Sequence, residues 1–143
     1  MKKLVLSMML FWCILTVSGA AWCGDNGNGT VTVNGLVWLK DAWCLGWGNW
    51  GFAMSRPKSL AHGQCGLTDN SKPGDWRLPT VDELKAVYPY KGQFRPARGT
   101  LHWSSSAYRG GTTDAWLVAM RDGSAHRQEK QNVHYIWAVR GGQ

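Results

Sequence analysis

Ten tryptophans and sixteen lysine and arginine residues are the side chains of this 143-residue sequence with the most chemistry to offer. Lys91, Arg95, Arg98, Arg109, Arg121, Arg127 and Lys130 lie in its second half, several of them close to aromatic residues. A guanidinium donates paired hydrogen bonds to sulfate, phosphate or carboxylate, and a lysine supplies a point charge. Trp43, Trp47 and Trp50 stand among glycines in residues 41–50. Glycine lets the backbone turn tightly there, so the indoles either fold over the core or present flat faces on which a sugar ring could stack. With few Leu and Ile available, most of the tryptophans are expected in the core.

Other reactive types lack the company that catalysis needs. His62, His102, His126 and His134 fall on separate elements without metal-ligand spacing, although a fold could bring His126 and His134 together on adjacent strands. Ser104, Ser105 and Ser106 are not framed by a nucleophile elbow, and no acid pair, phosphate loop or triad is visible. Asp25-Asn26-Gly27-Asn28-Gly29-Thr30 carries oxygen side chains at alternate positions, as a calcium loop does. It lacks the bidentate Glu and flanking helices of an EF-hand and reads as a turn. No metal, cofactor or catalytic residue is expected.

The cysteines speak about compartment. Cys13 lies in an apparent leader, and Cys23, Cys44 and Cys65 remain, an odd number for an oxidising environment. Cys44 and Cys65 bracket a helix-like segment and form the expected disulfide. Closing a loop of about twenty residues stabilises by roughly 3 kcal/mol on the chain-entropy account. Cys23, at the new N-terminus, is a candidate for a bond between chains. No Cys-x-x-Cys and no zinc spacing occurs.

The leader itself is residues 1–21. Lys2 and Lys3 precede an apolar run ending near Val17, and small residues Ser18-Gly19-Ala20-Ala21 follow, as signal peptidase requires. The run is too short to span a bilayer, and no second hydrophobic span follows. Residues 22–143 are then a single exported domain in the periplasm, on the cell surface or secreted. Loss of two lysines lowers the formal charge from +7 to about +5. A basic exported chain suits anionic partners such as acidic polysaccharide, lipid headgroups or nucleic acid, although at this modest charge simple solubility is the plainer reading.

The elements that must position these residues are legible in part. Thr30–Val33 and residues 36–40 alternate about Asn34-Gly35, a hairpin signal that sets Val31 and Val33 on one face and Leu36 and Trp38 on the other strand's matching face. Asn49 caps a helix directed toward His62, with Phe52, Ala53, Leu60 and Ala61 as apolar positions, Pro57 splitting it and Gly63 ending it. Thr80 and Glu83 form a capping box for a helix over 81–88 that stops at Pro89. Trp76 and Leu78 bury before it, and Arg77 between them needs solvent or an acidic partner. Residues 90–100 read as a loop. Strands follow at 101–106, 115–120 and 125–130, the last two joined at Asp122-Gly123. A final strand alternates through Val133, Tyr135, Trp137 and Val139, with Ile136 and Ala138 covered on its other face.

Several of these pieces occur together in a recognisable order: Asp25 to Thr32, Gly35-Leu36-Val37-Trp38, Cys65-Gly66-Leu67-Thr68-Asp69, and Gly74-Asp75-Trp76-Arg77-Leu78-Pro79-Thr80 with Glu83-Leu84. Trp103-Ser104-Ser105-Ser106, Asp122-Gly123 and Trp137-Ala138-Val139-Arg140-Gly141-Gly142-Gln143 complete it. In this the chain resembles the Lcl C-terminal domain family. The resemblance implies a bacterial exported α+β domain with a C-type-lectin-like layout: antiparallel strands, two short helices, a small disulfide-closed segment, and first and last strands near each other. The namesake collagen-like adhesins use the domain to bind sulfated glycosaminoglycans and assemble as trimers. No Gly-X-Y repeat is present here to drive a collagen stalk.

The expectation is a non-enzymatic binding or adhesion module for anionic or sulfated polysaccharide, with the seven cations and three tryptophans named first as its candidate site. A structural or protein-interaction module of the cell envelope, engaged through Cys23, is the alternative. An enzyme on a sulfatase-modifying lectin-like fold ranks last, because that chemistry needs the cysteines that the disulfide consumes.

Overall fold

The computed structural model describes residues 23–95 and 100–142. The leader, Trp22, Arg98 and Gln143 lie outside the described residues.

Strands β1 (Cys23–Asp25), β2 (Thr30–Val33) and β3 (Leu36–Leu39) form an antiparallel meander. At the β2–β3 turn Asn34 and Gly35 take left-handed backbone, φ 51° and 79°, as a two-residue hairpin of matching twist requires. The register sets Val31 opposite Trp38 and Val33 opposite Leu36, the faces that alternation predicts. In the preceding turn Asp25 Oδ1 accepts from the Gly27 N–H, and Asn28 Oδ1 accepts from both the amide and hydroxyl of Thr30. The oxygen side chains there are spent on the loop's own donors. Gly29 is a genuine requirement, since a Cβ at that position would lie 2.4 Å from the Gly66 carbonyl oxygen.

A second sheet has the order β4-β8-β5-β6-β7. It comprises β4 (Trp47–Gly48), β5 (Leu101–Ala107), β6 (Asp114–Ala119), β7 (Ala125–Glu129) and β8 (His134–Tyr135). Its pairings are antiparallel except β5 with β8. β9 (Val139–Arg140) returns to β3, so the first sheet runs β1-β2-β3-β9 and holds both the first and last strands. The expected single C-terminal strand is therefore two strands in two sheets. Ile136, Trp137, Ala138 and Val139 are all buried. Between the sheets the Ile136 N–H donates to Gly46 and the Ala138 carbonyl accepts from Leu39. A segment buried on every side shows no true period of two, and its apparent alternation was an accident of composition.

Two short helices accompany the sheets. α1 (Trp50–Ser55) is capped by Asn49, whose side chain accepts from the Phe52 N–H. It gives way to a 3-10 turn, Arg56–Ser59, with Pro57 near its start, where a missing N–H costs nothing. Gly63 does not end this helix as expected; Leu60 already leaves in extended backbone. α2 (Val81–Val87) has the complete Thr80/Glu83 capping box and buries Leu84 and Val87. Pro89 ends the α-helix but not the coiling, because a 3-10 segment Tyr88–Gln93 runs through it where a loop was expected. Arg77 finds its acid in Glu83, at 2.8 Å through both nitrogens, and also donates to the Gly141 carbonyl at 2.9 Å. Burial would raise the Glu83 carboxyl, but the Arg77 bonds and the Thr80 N–H outweigh it and hold it below its ordinary value.

The core is built on tryptophan. Trp38, Trp76, Trp103 and Trp137 are almost fully buried. Trp137 lies 4.8 Å from Trp38 and 4.7 Å from Phe94 between ring centroids, and its indole N–H reaches the Leu39 carbonyl at 2.7 Å. The Cys44–Cys65 disulfide closes the 21-residue separation that the sequence suggests. The fold is α+β, with two short helices against largely antiparallel sheets.

Candidate binding surface

The segment that carries Trp43, Trp47 and Trp50 is tightly wound. Asp41 accepts the Trp43 N–H through its side chain and the Cys44 N–H through its carbonyl, and Gly46 closes the turn onto Trp43 with φ 71°. The disulfide then fixes Cys44. This turn leads directly into β4, an edge strand of only two residues, paired with β8 so that Trp47 faces Tyr135. Trp43 stacks on Tyr135 at 5.5 Å with an interplanar angle of 21°, and Trp47 meets the same ring edge-on at 6.0 Å. Trp43 is 41% exposed and Trp47 65%, so these rings form a surface ridge rather than core. Among the described residues the exposed large hydrophobic side chains are Trp43, Trp47, Phe52 and Val133. All four adjoin β4, since Phe52 packs on Gly48 and Val133 precedes the β8 partner His134.

Trp50 behaves differently. It is half-buried, its indole N–H donates to the Ser104 carbonyl at 2.8 Å, and the Lys130 ammonium sits 4.2 Å from its ring centroid. Backbone bonds from Trp50 N–H to Lys130 and from Lys130 N–H to Thr113 tie this pair to the loop ahead of β6. The Lys130 ammonium also donates to the Gly111 carbonyl in that loop. Beyond it, Tyr108 carries two guanidinium groups, Arg109 at 5.2 Å and Arg127 at 4.8 Å from its ring centroid. Trp116, cross-strand from Arg127, meets Tyr108 edge-on at 5.2 Å. Arg127 shares its charge with Asp114 at 3.1 Å. Arg109 is exposed and takes left-handed backbone, φ 49°, a conformation that costs a side-chained residue about 1 kcal/mol.

The remaining candidate cations are scattered. The Lys91 ammonium donates to the Met120 and Arg121 carbonyls and lies over Tyr88, which holds the 3-10 segment to the β6–β7 turn. Arg121 is exposed on that turn with Asp122 at 3.7 Å. Arg95 is exposed, and its backbone bridges residues 40–42 just before Trp43. The fold thus groups Trp43 with Trp47, Trp50 with Lys130, and Arg109 with Arg127, and it leaves Lys91, Arg95 and Arg121 apart from these.

Tyr135 and Tyr108 are the joining residues that sequence reasoning missed. Each is the ring shared by two predicted residues, and only long-range pairing reveals it. Arg109 following Tyr108 was the one local hint.

The other reactive side chains are accounted for structurally. Ser104 donates to the Trp116 carbonyl at 2.6 Å, and Ser106 accepts the first helical N–H of α2, Val81, at 3.0 Å. β5 and β6 separate β7 from β8, so His126 and His134 do not come together on adjacent strands. His102 is fully buried against Trp137 and Tyr135, with Nε2 at 2.7 Å from the Thr100 hydroxyl, and burial lowers its pKa to about 3. Burial also lowers His134, which meets Trp103 edge-on. Among the described residues no three His, Cys, Asp or Glu side chains cluster as a metal site would need.

What the surface offers is cations held against aromatic faces, beside an uncharged aromatic ridge. A ring-stacked guanidinium is fixed in place yet keeps its N–H edge for an anion. The model of the Lcl C-terminal domain family matches residues 29–140 of this chain. No curated protein matches it.

Proposed function

The chain belongs to the Lcl C-terminal domain family, and from that premise we propose that it is an exported, non-enzymatic module that binds anionic, sulfated polysaccharide. Family membership and the disulfide both point to an extracellular domain of adhesin type. The observation that carries the finer reading is the pair of guanidinium groups on Tyr108, with Lys130 over Trp50 in the neighbouring loop. Three cations are thereby presented from aromatic supports, the Arg109 fork open to sulfate and the Arg127 fork shared with Asp114.

The test is binding of the mature domain to heparin and to neutral glycans across a salt series. Tight binding to heparin alone, weakening steeply with salt, is the expected result. Arg109→Ala with Arg127→Ala should weaken it tenfold or more, since a hydrogen bond to a charged group contributes about 1.5–3 kcal/mol. Unchanged heparin affinity in that double variant sinks the assignment. Absence of binding to any glycan transfers the weight to a protein partner in the cell envelope.

A further inference from the structure

A cleft of about 490 Å³ opens between the disulfide and the α1 segment, away from the Tyr108 arginines. Its volume falls in the range of small-ligand sites. Leu45 and Leu60 form an apolar floor, and the Cys44–Cys65 bridge forms one wall. The other wall is Phe52, 43% exposed, with the Arg56 guanidinium 5.1 Å from its ring centroid. Among the described residues that line the cleft, Arg56 is the charged one and none is a carboxylate.

Two of the four polar side chains there, Arg56 and Gln64, keep donors for an acceptor. Gln64 uses its side-chain oxygen to accept the Ala61 N–H, which leaves its amide N–H groups to donate. The Ser55 and Ser59 hydroxyls already donate to the Phe52 and Arg56 carbonyls. The exposed ring is held deliberately. A Cβ at Gly48 would lie 2.3 Å from Phe52 Cδ1, so the ring occupies its place because β4 ends in glycine.

We propose that this cleft binds a carboxylate carried on a ring with an apolar face, the ring against Phe52 and the carboxylate on the Arg56 fork and the Gln64 amide. A hexuronate unit of a glycan and a free aromatic acid share that chemistry. The residues are distinct from those assigned to sulfate, so either reading stands if the other fails.

Amide NMR titration of the mature domain decides it, with a galacturonate tetramer, a galactose tetramer and phenylacetate as probes. The uronate oligomer should shift signals of residues 44–45, 52–60 and 64–65, and the galactose tetramer should bind at least tenfold more weakly. Arg56→Ala and, separately, Gly48→Ala should each lower uronate affinity at least tenfold while near-ultraviolet circular dichroism stays native. Phenylacetate binding in place of the uronate identifies the ligand source as an aromatic acid, and uronate binding without phenylacetate identifies it as a sugar. Shifts centred on Tyr108, unaltered affinity in both variants, or no binding by either acid overturns the proposal.

Discussion

Trp47 pairs with Tyr135, two residues before Trp137, yet the two tryptophans do opposite things. Trp137 is enclosed by Trp38, Phe94 and His102, with its N–H satisfied by a carbonyl. Trp47 lies on the outer edge of a two-residue strand and touches Tyr135 only by an edge. The same side chain is a core element in one place and surface in the other. What separates them is local backbone: the buried indoles sit in or beside apolar strands, and the exposed ones flank the tight turn that Gly46 closes onto Trp43. Composition alone invites one explanation for all the tryptophans, and the molecule has two.

That contrast can be broken by measurement. Trp137→Ala should cost about 3–5 kcal/mol in chemical denaturation, because it empties a close-packed site. Trp47→Ala should change stability by less than about 0.5 kcal/mol. Comparable losses in the two variants would make the ridge part of the core after all.

His102 sharpens the comparison, because its ring lies 5.3 Å from Trp137 and 5.9 Å from Tyr135, where core and ridge meet. Its folded pKa is about 3 against an ordinary 6.5. The unfolded chain therefore takes up a proton near pH 6.5 that the folded chain refuses until about pH 3. Stability is complete above pH 6.5 and falls as pH drops through this window, by about 2 kcal/mol between pH 7 and 5. His134, lowered in the same direction, adds to the loss. Denaturation curves at the two pH values check this, and His102→Phe should remove most of the difference.

The smallest effect concerns Arg109. Arg109→Gly relieves its left-handed backbone and should raise stability by about 1 kcal/mol, while heparin affinity falls. Opposite signs in the two assays would mark a residue retained for contact rather than for folding. A loss of stability would instead place Tyr108 and its arginines among the structural supports.

The local devices were readable from sequence because each is closed within a few residues. Asn34-Gly35, the Thr80/Glu83 box and the Asn49 cap all take the form that their spacing dictates. The disulfide was legible because two cysteines bracketed one segment. Tyr135 was not, because its role depends on the pairing of β4 with β8, between residues nearly ninety positions apart. The split of the last strand was hidden for the opposite reason: Val133, Tyr135, Trp137 and Val139 mimic a simple alternation, and only the two sheets together show that β8 and β9 part company.

That parting has a kinetic consequence. β8 joins β4 to β5 in one sheet, and residues 136–140 lie against Gly46, Leu39 and β3 of the other region. A ribosome delivers this stretch after everything it joins. Until it arrives, β4 has no strand partner and Trp38 lacks Trp137, the nearer of its two aromatic neighbours. Closure by such distant pairings makes for slow folding. It also leaves the growing chain pliable up to the moment its last strands appear.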